Sequence, residues 1–222
     1  FRRGSWKMRS RKIGTEPFLV DKIANHPRMR QLVSRFIGES VKRADRVRGI
    51  YCVFPKPSGE DRHLSPHGDH TGAQLSAMVF VDTVAPHSGG FTIWPGSHHM
   101  SHPYHTAVHG PLDPERADEY VKDRDDVLRK VTPVEFSGKA GDVLFWHPRL
   151  IHAPGVNCSA DHDHPAVRYI VPCEYQPDGL TSYFNLSHGP APNRQWWVDT
   201  RNFREDVPAT ADNIWYAWAF EC

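Results

Sequence analysis

Five short runs of β-forming residues, Ile50 to Phe54, Leu75 to Val81, Phe91 to Trp94, Val143 to Trp146 and Val167 to Val171, follow one another without a crossover helix between successive strands. Turn material separates them, as in Pro57-Ser58-Gly59, His87-Ser88-Gly89-Gly90 and Gly138-Lys139-Ala140-Gly141-Asp142. Parallel neighbours need a long connection, usually helical, whereas antiparallel ones close through tight turns. The pattern therefore predicts a mainly β chain, a sandwich or jelly roll. Nineteen Pro and sixteen Gly, scattered without a period, agree with it. Leu75 to Val81 is apolar on both faces apart from Ser76, as a strand between two layers should be.

One helix stands out against this background. Met29, Leu32, Val33, Phe36 and Ile37 recur at i, i+3, i+4, i+7 and i+8 after Pro27, with Asn25 or His26 as the cap and Gly38 as the stop. Residues 1 to 24 open with basic and polar side chains and read as an extended arm or as the end of an element that begins upstream. The polar stretch from about 110 to 132 contains a short helix starting at Asp113-Pro114-Glu115 and running through Val121. It reads as an excursion outside the core, of the kind that often becomes a lid. Four of seven tryptophans, Trp196, Trp197, Trp215 and Trp218, fall in the tail and are expected to pack it onto the barrel. The expected organisation is a single domain over 1–222: arm and helix to about 40, β core from about 48 to 176, aromatic tail from about 177.

Twenty-seven basic and twenty-six acidic side chains leave a formal charge of +1, so the broad electrostatic footprint of a nucleic-acid or anionic-membrane binder is missing. No run approaches the roughly 18 apolar residues of a membrane span. A small-molecule partner is the better expectation. Cys52, Cys158, Cys173 and Cys222 lie far apart, with no C-x-x-C pair, which argues against a structural zinc site and favours a reducing, cytoplasmic setting. The chain begins at Phe1, so an upstream segment carrying a targeting signal is compatible with the sequence. Oligomeric state leaves no mark.

Fifteen histidines invite a metal reading. In Pro66-His67-Gly68-Asp69-His70, an extended backbone turns residues i and i+2 to the same side, so His67 and Asp69 present an imidazole and a carboxylate to one point. A third donor must come from elsewhere. His152, closing the run from Gly141 to His152, is the best candidate, with His147 its competitor. Two His and one carboxylate on one face of an octahedron leave three positions open, the arrangement of non-haem Fe(II) oxygenases.

The spacing alone is weak, as the decoy His162-Asp163-His164 shows. The surrounding text adds to it: His67-Gly68-Asp69, a strand ending Phe80-Val81-Asp82, Ser88-Gly89-Gly90-Phe91-Thr92-Ile93-Trp94-Pro95-Gly96-Ser97-His98, then Gly141-Asp142-Val143-Leu144-Phe145 leading to His152 and Asn157, then Arg168. Together these resemble the phytanoyl-CoA dioxygenase family of Fe(II)/2-oxoglutarate oxygenases over residues 27 to 175. The resemblance implies a double-stranded β-helix (jelly roll, cupin-like barrel) with flanking α-helices, His67, Asp69 and His152 as iron ligands, and 2-oxoglutarate and O₂ as co-substrates. It places Arg168 on the far carboxylate of 2-oxoglutarate, a role suited to a planar guanidinium of fixed charge. His70 and Gln74 are close enough in sequence to reach the co-substrate or the ligands. The implied reaction is hydroxylation of a C–H bond with release of succinate and CO₂. Desaturation or ring formation shares its oxidant. Halogenases of this kind lack the carboxylate ligand, which Asp69 supplies here. The chain departs from the pattern at Pro154, where a small hydroxyl residue is common, and in the step of sixteen positions from His152 to Arg168, lengthened by the loop Ser159 to Pro165.

Blander readings exist for each position. His67 and Asp69 would otherwise be a loop ion pair, His152 a core histidine, and Arg168 a structural partner of Asp142, with Arg149 the other carboxylate clamp. His98, His99, His102 and His105 read as a solvated loop, Ser97 and His98 as serving the turn after Trp94, and Asp142 as organising the turn before Val143. Two other function classes compete: a cupin-like metal enzyme without 2-oxoglutarate, and a catalytically silent jelly-roll binding protein.

Overall fold

The structure is a computed structural model and describes residues 7–10, 12–37, 41–56, 66–69, 75–101, 104, 116–176, 178, 201–202 and 207–208. Its architecture is mainly antiparallel β with a few helices. Strands β1 (Lys7–Ser10), β2 (Ile50–Val53), β3 (Leu75–Phe80), β6 (Val143–Trp146) and β8 (Arg168–Tyr175) form a five-stranded sheet in the order β1-β2-β8-β3-β6. Strands β4 (Phe91–Ile93), β5 (Val134–Phe136) and β7 (His152–Pro154) form a second sheet, ordered β5-β4-β7. A small pair, β9 (Arg201–Asn202) and β10 (Val207–Pro208), lies downstream.

The alternation of side chains along β3 and β8 builds the layers. Leu75, Ala77, Val171, Cys173 and Tyr175 face outward, under helix α2 (Pro27–Ile37), where they join Met29, Val33, Phe36 and Ile37 in one cluster. Met78, Phe80 and Ile170 face inward and meet Phe91 and Phe136 of the second sheet, so the core of the jelly roll lies between the sheets. β3 is thus buried on both faces, as its composition predicts. A third cluster covers the outside of the smaller sheet, formed by Trp94, Tyr104, Tyr120, Ile151 and Ala153.

The amphipathic helix occupies the expected residues, although Leu32 is 37% exposed. His26 is the cap: its carbonyl accepts the first helical hydrogen bond from Arg30, and its Nδ1 accepts from the Arg28 amide. Asn25 instead exchanges two hydrogen bonds with the Ala44 backbone. Two expectations need correction. The arm is not all extended, because α1 (Pro17–Leu19) runs into a π-helical turn, Val20–Ala24, that buries Leu19, Val20 and Ala24. The helix in the insertion runs further than expected: α4 (Ala117–Lys130) continues well past Val121, with Tyr120 its buried residue and ion pairs such as Asp126–Lys130 and Arg116–Glu119 along the exposed side, while the expected start at 113–115 lies outside the described residues. No helix among the described residues is long and apolar enough to cross a membrane.

One close approach fixes the packing of the second sheet. A Cβ on Gly90 would stand 2.2 Å from the Phe136 carbonyl oxygen, and only glycine lets β5 come so near.

Candidate metal centre

Backbone pairing brings the predicted donors together. His67 and His152 exchange two hydrogen bonds, at 3.0 and 2.9 Å, and the Asp69 amide donates to the Pro148 carbonyl at 2.6 Å. The H-x-D segment therefore lies as a short extra strand beside the one that carries the distal histidine. Its side chains follow: one ligand atom from each of His67, Asp69 and His152 lies within 4.8 Å of the others. His67 Nε2 is 3.9 Å from Asp69 Oδ1, and His152 Nε2 is 3.4 Å from Asp69 Oδ2. No second cluster of three such donors occurs among the described residues.

The protonation states suit a cation. His152 Nδ1 lies 2.8 Å from the Leu150 carbonyl oxygen. A carbonyl only accepts, so Nδ1 carries the proton and the Nε2 lone pair points to the centre. Burial lowers the His152 pKa to about 4, which leaves the imidazole neutral at pH 7. Burial pushes the Asp69 carboxyl up, but the neighbouring His152, Arg48 and His67 outweigh it and hold it at about 2, so it is ionised. Asp69 Oδ2 is buried with no hydrogen-bond partner. A neutral imidazole and an ionised, unsatisfied carboxylate oxygen are the states that metal binding requires.

Several residues hold this turn from behind. Arg149, fully buried, donates from Nη1 to the Asp69 carbonyl at 2.8 Å, and Ser101 Oγ donates to the Arg149 carbonyl. Ser97 Oγ accepts from the Ile151 amide at 2.8 Å, while its own amide donates to the Trp94 carbonyl. The Pro-Gly-Ser-His segment thus closes its turn and also staples the residue before His152. The Tyr120 hydroxyl stands over Gly68. The described part of the insertion accordingly braces the back of the centre, and none of it lines the cavity.

That cavity, about 420 Å³ including its mouth, is lined by the three donors, by Arg48, and by apolar walls from Tyr51, Met78, Phe91, Trp146, Pro154, Ile170 and Pro172. Arg168 stands one step beyond Ile170 on the same inward face of β8, past the wall, with 3% of its surface exposed. None of its three guanidinium nitrogens has a hydrogen-bond partner among the described residues. Burial, opposed by Glu135, lowers its pKa to about 10, still charged at pH 7. Its register is set by Asn157, whose Nδ2 donates to the Val53 and Ala166 carbonyls and whose Oδ1 accepts from Ser159. Asn157 shares the holding of the long loop from His152 to Arg168 with Ser159, whose hydroxyl meets both backbone groups of Ala166, and with backbone bonds from Gly155 and Cys158 to Gly90 and His87.

Other expected positions sort as follows. His147 is buried outside the donor cluster, and its Nδ1 accepts from the Arg149 amide. Arg149 braces backbone and is not a wall of the cavity. Asp142 takes the Lys139 amide, as a turn organiser should, and makes no ion pair with Arg168. His98 is 8% exposed on α3 (Ser97–Ser101) and is therefore not part of a solvated loop, while His102, His105, His70, Gln74 and the tail tryptophans fall outside the described residues. Arg48 and Glu174 were not legible as site residues: Arg48 Nη1 bridges Asp69 Oδ1 at 3.5 Å and Glu174 Oε1 at 3.1 Å, a contact across 126 positions that no local motif announces.

The family model for phytanoyl-CoA dioxygenase (PhyH) matches residues 7–164, more than half of the chain. The chain belongs to the phytanoyl-CoA dioxygenase family. That family is one of Fe(II)/2-oxoglutarate-dependent oxygenases. Two solved structures agree on the fold. The non-haem α-ketoglutarate-dependent epimerase SnoN from nogalamycin biosynthesis is 21% identical, with a TM-score of 0.53 over 93% of this chain and 75% of that one. EctD from S. alaskensis with bound Fe is 18% identical, with a TM-score of 0.51 over 78% of this chain and 58% of that one. AviO1 from Streptomyces viridochromogenes Tue57 is 19% identical, with a TM-score of 0.48 over 73% of this chain, which spans 62% of that structure's length. No curated protein matches the chain in sequence.

Proposed function

We propose that this phytanoyl-CoA dioxygenase family member hydroxylates a C–H bond of a small organic substrate, consuming 2-oxoglutarate and O₂ and releasing succinate and CO₂. The observation that carries the reading is the donor set His67, Asp69 and His152 on the wall of one cavity. Arg168, a buried guanidinium with no hydrogen-bond partner among the described residues, lies on the same inward face of β8 as Ile170 of that wall. A dicarboxylate suits the two together.

His67, Asp69 and His152 would hold Fe(II), leaving three positions open. Iron, 2-oxoglutarate and O₂ together supply the oxidising power for C–H cleavage. The chain's own residues do the rest. Arg168 takes the far carboxylate of 2-oxoglutarate, a charge-assisted pair in a water-poor setting. Phe91 stacks on His152 with ring centroids 5.1 Å apart and Trp146 meets it edge-on at 5.5 Å, fixing the imidazole plane and keeping water from that side. Asp69, in the place a halide would need, supports hydroxylation over halogenation.

The test is succinate release from 2-oxoglutarate across a panel of small-molecule substrates, with the product examined for one oxygen atom from ¹⁸O₂. Asp69→Ala is expected to abolish both signals. Full activity in that variant refutes the ligand assignment, and turnover without oxygen in the product refutes hydroxylation.

A further inference from the structure

The Asp69 carboxylate faces both imidazoles. Oδ1 lies 3.9 Å from His67 Nε2 and Oδ2 lies 3.4 Å from His152 Nε2, so either oxygen, or both, would reach one ion placed among the three side chains. The two oxygens are not equivalent, however. Oδ1 is paired with Arg48 Nη1 at 3.5 Å, and the same nitrogen is anchored on Glu174 Oε1 at 3.1 Å. Oδ2 is buried with no hydrogen-bond partner. Glu174 is itself held: it lies on the inward face of β8, opposite Ser76 of β3, with its side chain 4% exposed.

We infer that Arg48 is a positioning residue that keeps Asp69 a one-oxygen ligand, Oδ2 to the metal and Oδ1 to the guanidinium, with Glu174 as its anchor. The inference rests on the reading that His67, Asp69 and His152 hold the iron.

The consequence concerns coordination count. With one oxygen from Asp69, three of six octahedral positions stay open, enough for a chelating 2-oxo acid and O₂. If Oδ1 also turns to the metal, one position is lost. The centre then binds a cation at least as well, but 2-oxoglutarate and O₂ compete for the remaining two. An Oδ1 bound to the metal as well would have to share its charge between the metal and Arg48, and the guanidinium opposes that by holding Oδ1 on its own side. Arg48 also lines the cavity, so it acts from the open side of the centre, in contrast to Arg149, which holds the Asp69 backbone from behind.

Arg48→Met tests the idea, measured on Mn(II)-loaded protein by the broadening of the Mn(II) resonance in ¹⁷O-enriched water, which counts bound waters. Arg48→Met is expected to show one bound water fewer than the natural chain. Its Mn(II) affinity should stay within about threefold, and its 2-oxoglutarate affinity should weaken by about tenfold or more. Arg48→Lys, which keeps a cation for Oδ1, restores the natural count. Should Arg48→Met fold poorly because the buried Glu174 carboxylate loses the Arg48 cation, the double variant Arg48→Met/Glu174→Gln removes that charge and is expected to show the same lost water. An unchanged water count in Arg48→Met or the double variant overturns the inference, as does a loss of Mn(II) binding as severe as in Asp69→Ala. A natural chain that binds no Mn(II) overturns the ligand assignment beneath it.

Discussion

Replacing Arg168 with methionine separates two opposite effects of one side chain. The guanidinium is buried and makes no hydrogen bond among the described residues, and burial, eased by Glu135, lowers its pKa from 12.5 to about 10. It remains protonated at neutral pH, so the folded state bears the desolvation cost. A shift of that size corresponds to about 3 kcal/mol. Methionine fills much of the same space without charge, and about 1 kcal/mol is allowed for imperfect repacking. Arg168→Met is therefore expected to stabilise the ligand-free protein by about 2 kcal/mol, or about 4–8 °C in a chain of this size. The same change removes the partner of a buried carboxylate, a loss of about 2–5 kcal/mol. The affinity for 2-oxoglutarate should fall by about 30-fold to several thousandfold. Thermal unfolding with Ni(II), with and without 2-oxoglutarate, reads both effects in one series: a higher midpoint without the co-substrate and a much smaller shift on adding it. A lower midpoint with an unchanged shift would refute the reasoning and make Arg168 a structural cation.

Further expectations rest on other parts of the structure. Asn157→Ala strips hydrogen bonds from the Val53 and Ala166 carbonyls and from Ser159, and should cost about 3 kcal/mol in urea unfolding and weaken 2-oxoglutarate binding through Arg168; a loss of stability alone would disconnect the loop from the site. Because His152 titrates at about 4 when folded and near 6.5 when unfolded, the unfolded chain takes up the proton first. Metal-free protein should therefore lose about 3 kcal/mol as pH falls from about 6.5 to 4, with the Asp69 loss following at lower pH, and the first step should vanish in His152→Asn. Cys173 is fully buried and its thiol is pushed up to about 12 by burial, so mass spectrometry should find it unmodified by iodoacetamide at neutral pH until the protein is unfolded.

What the sequence made legible is what repeats at short range. The i, i+2 spacing of His67 and Asp69 survives in the structure because the segment is truly extended and paired with residues 148–152. Likewise β3 is apolar on both faces because α2 covers one side and the second sheet the other. β5 and β7 carried no such signal. Each has three residues, and β7 consists of His152, Ala153 and Pro154, which owe their extended form to pairing with β4 and not to propensity. The part of α4 beyond Val121 hid for a related reason: Tyr120 is the helix's buried anchor, and charges that pair only once the helix exists fill its exposed side. The Arg48–Glu174–Asp69 contact joins three distant segments, and pairings of that kind exist only in the folded chain.

Crystals grown without oxygen in the presence of Ni(II) and 2-oxoglutarate would test the central claim most directly, through the anomalous signal of the metal. The expected result is one strong peak within bonding distance of His67 Nε2, Asp69 Oδ2 and His152 Nε2, with 2-oxoglutarate beside it and its far carboxylate on Arg168. A peak at His147 or at the His98–His99 pair, or none at the three donors, would contradict it.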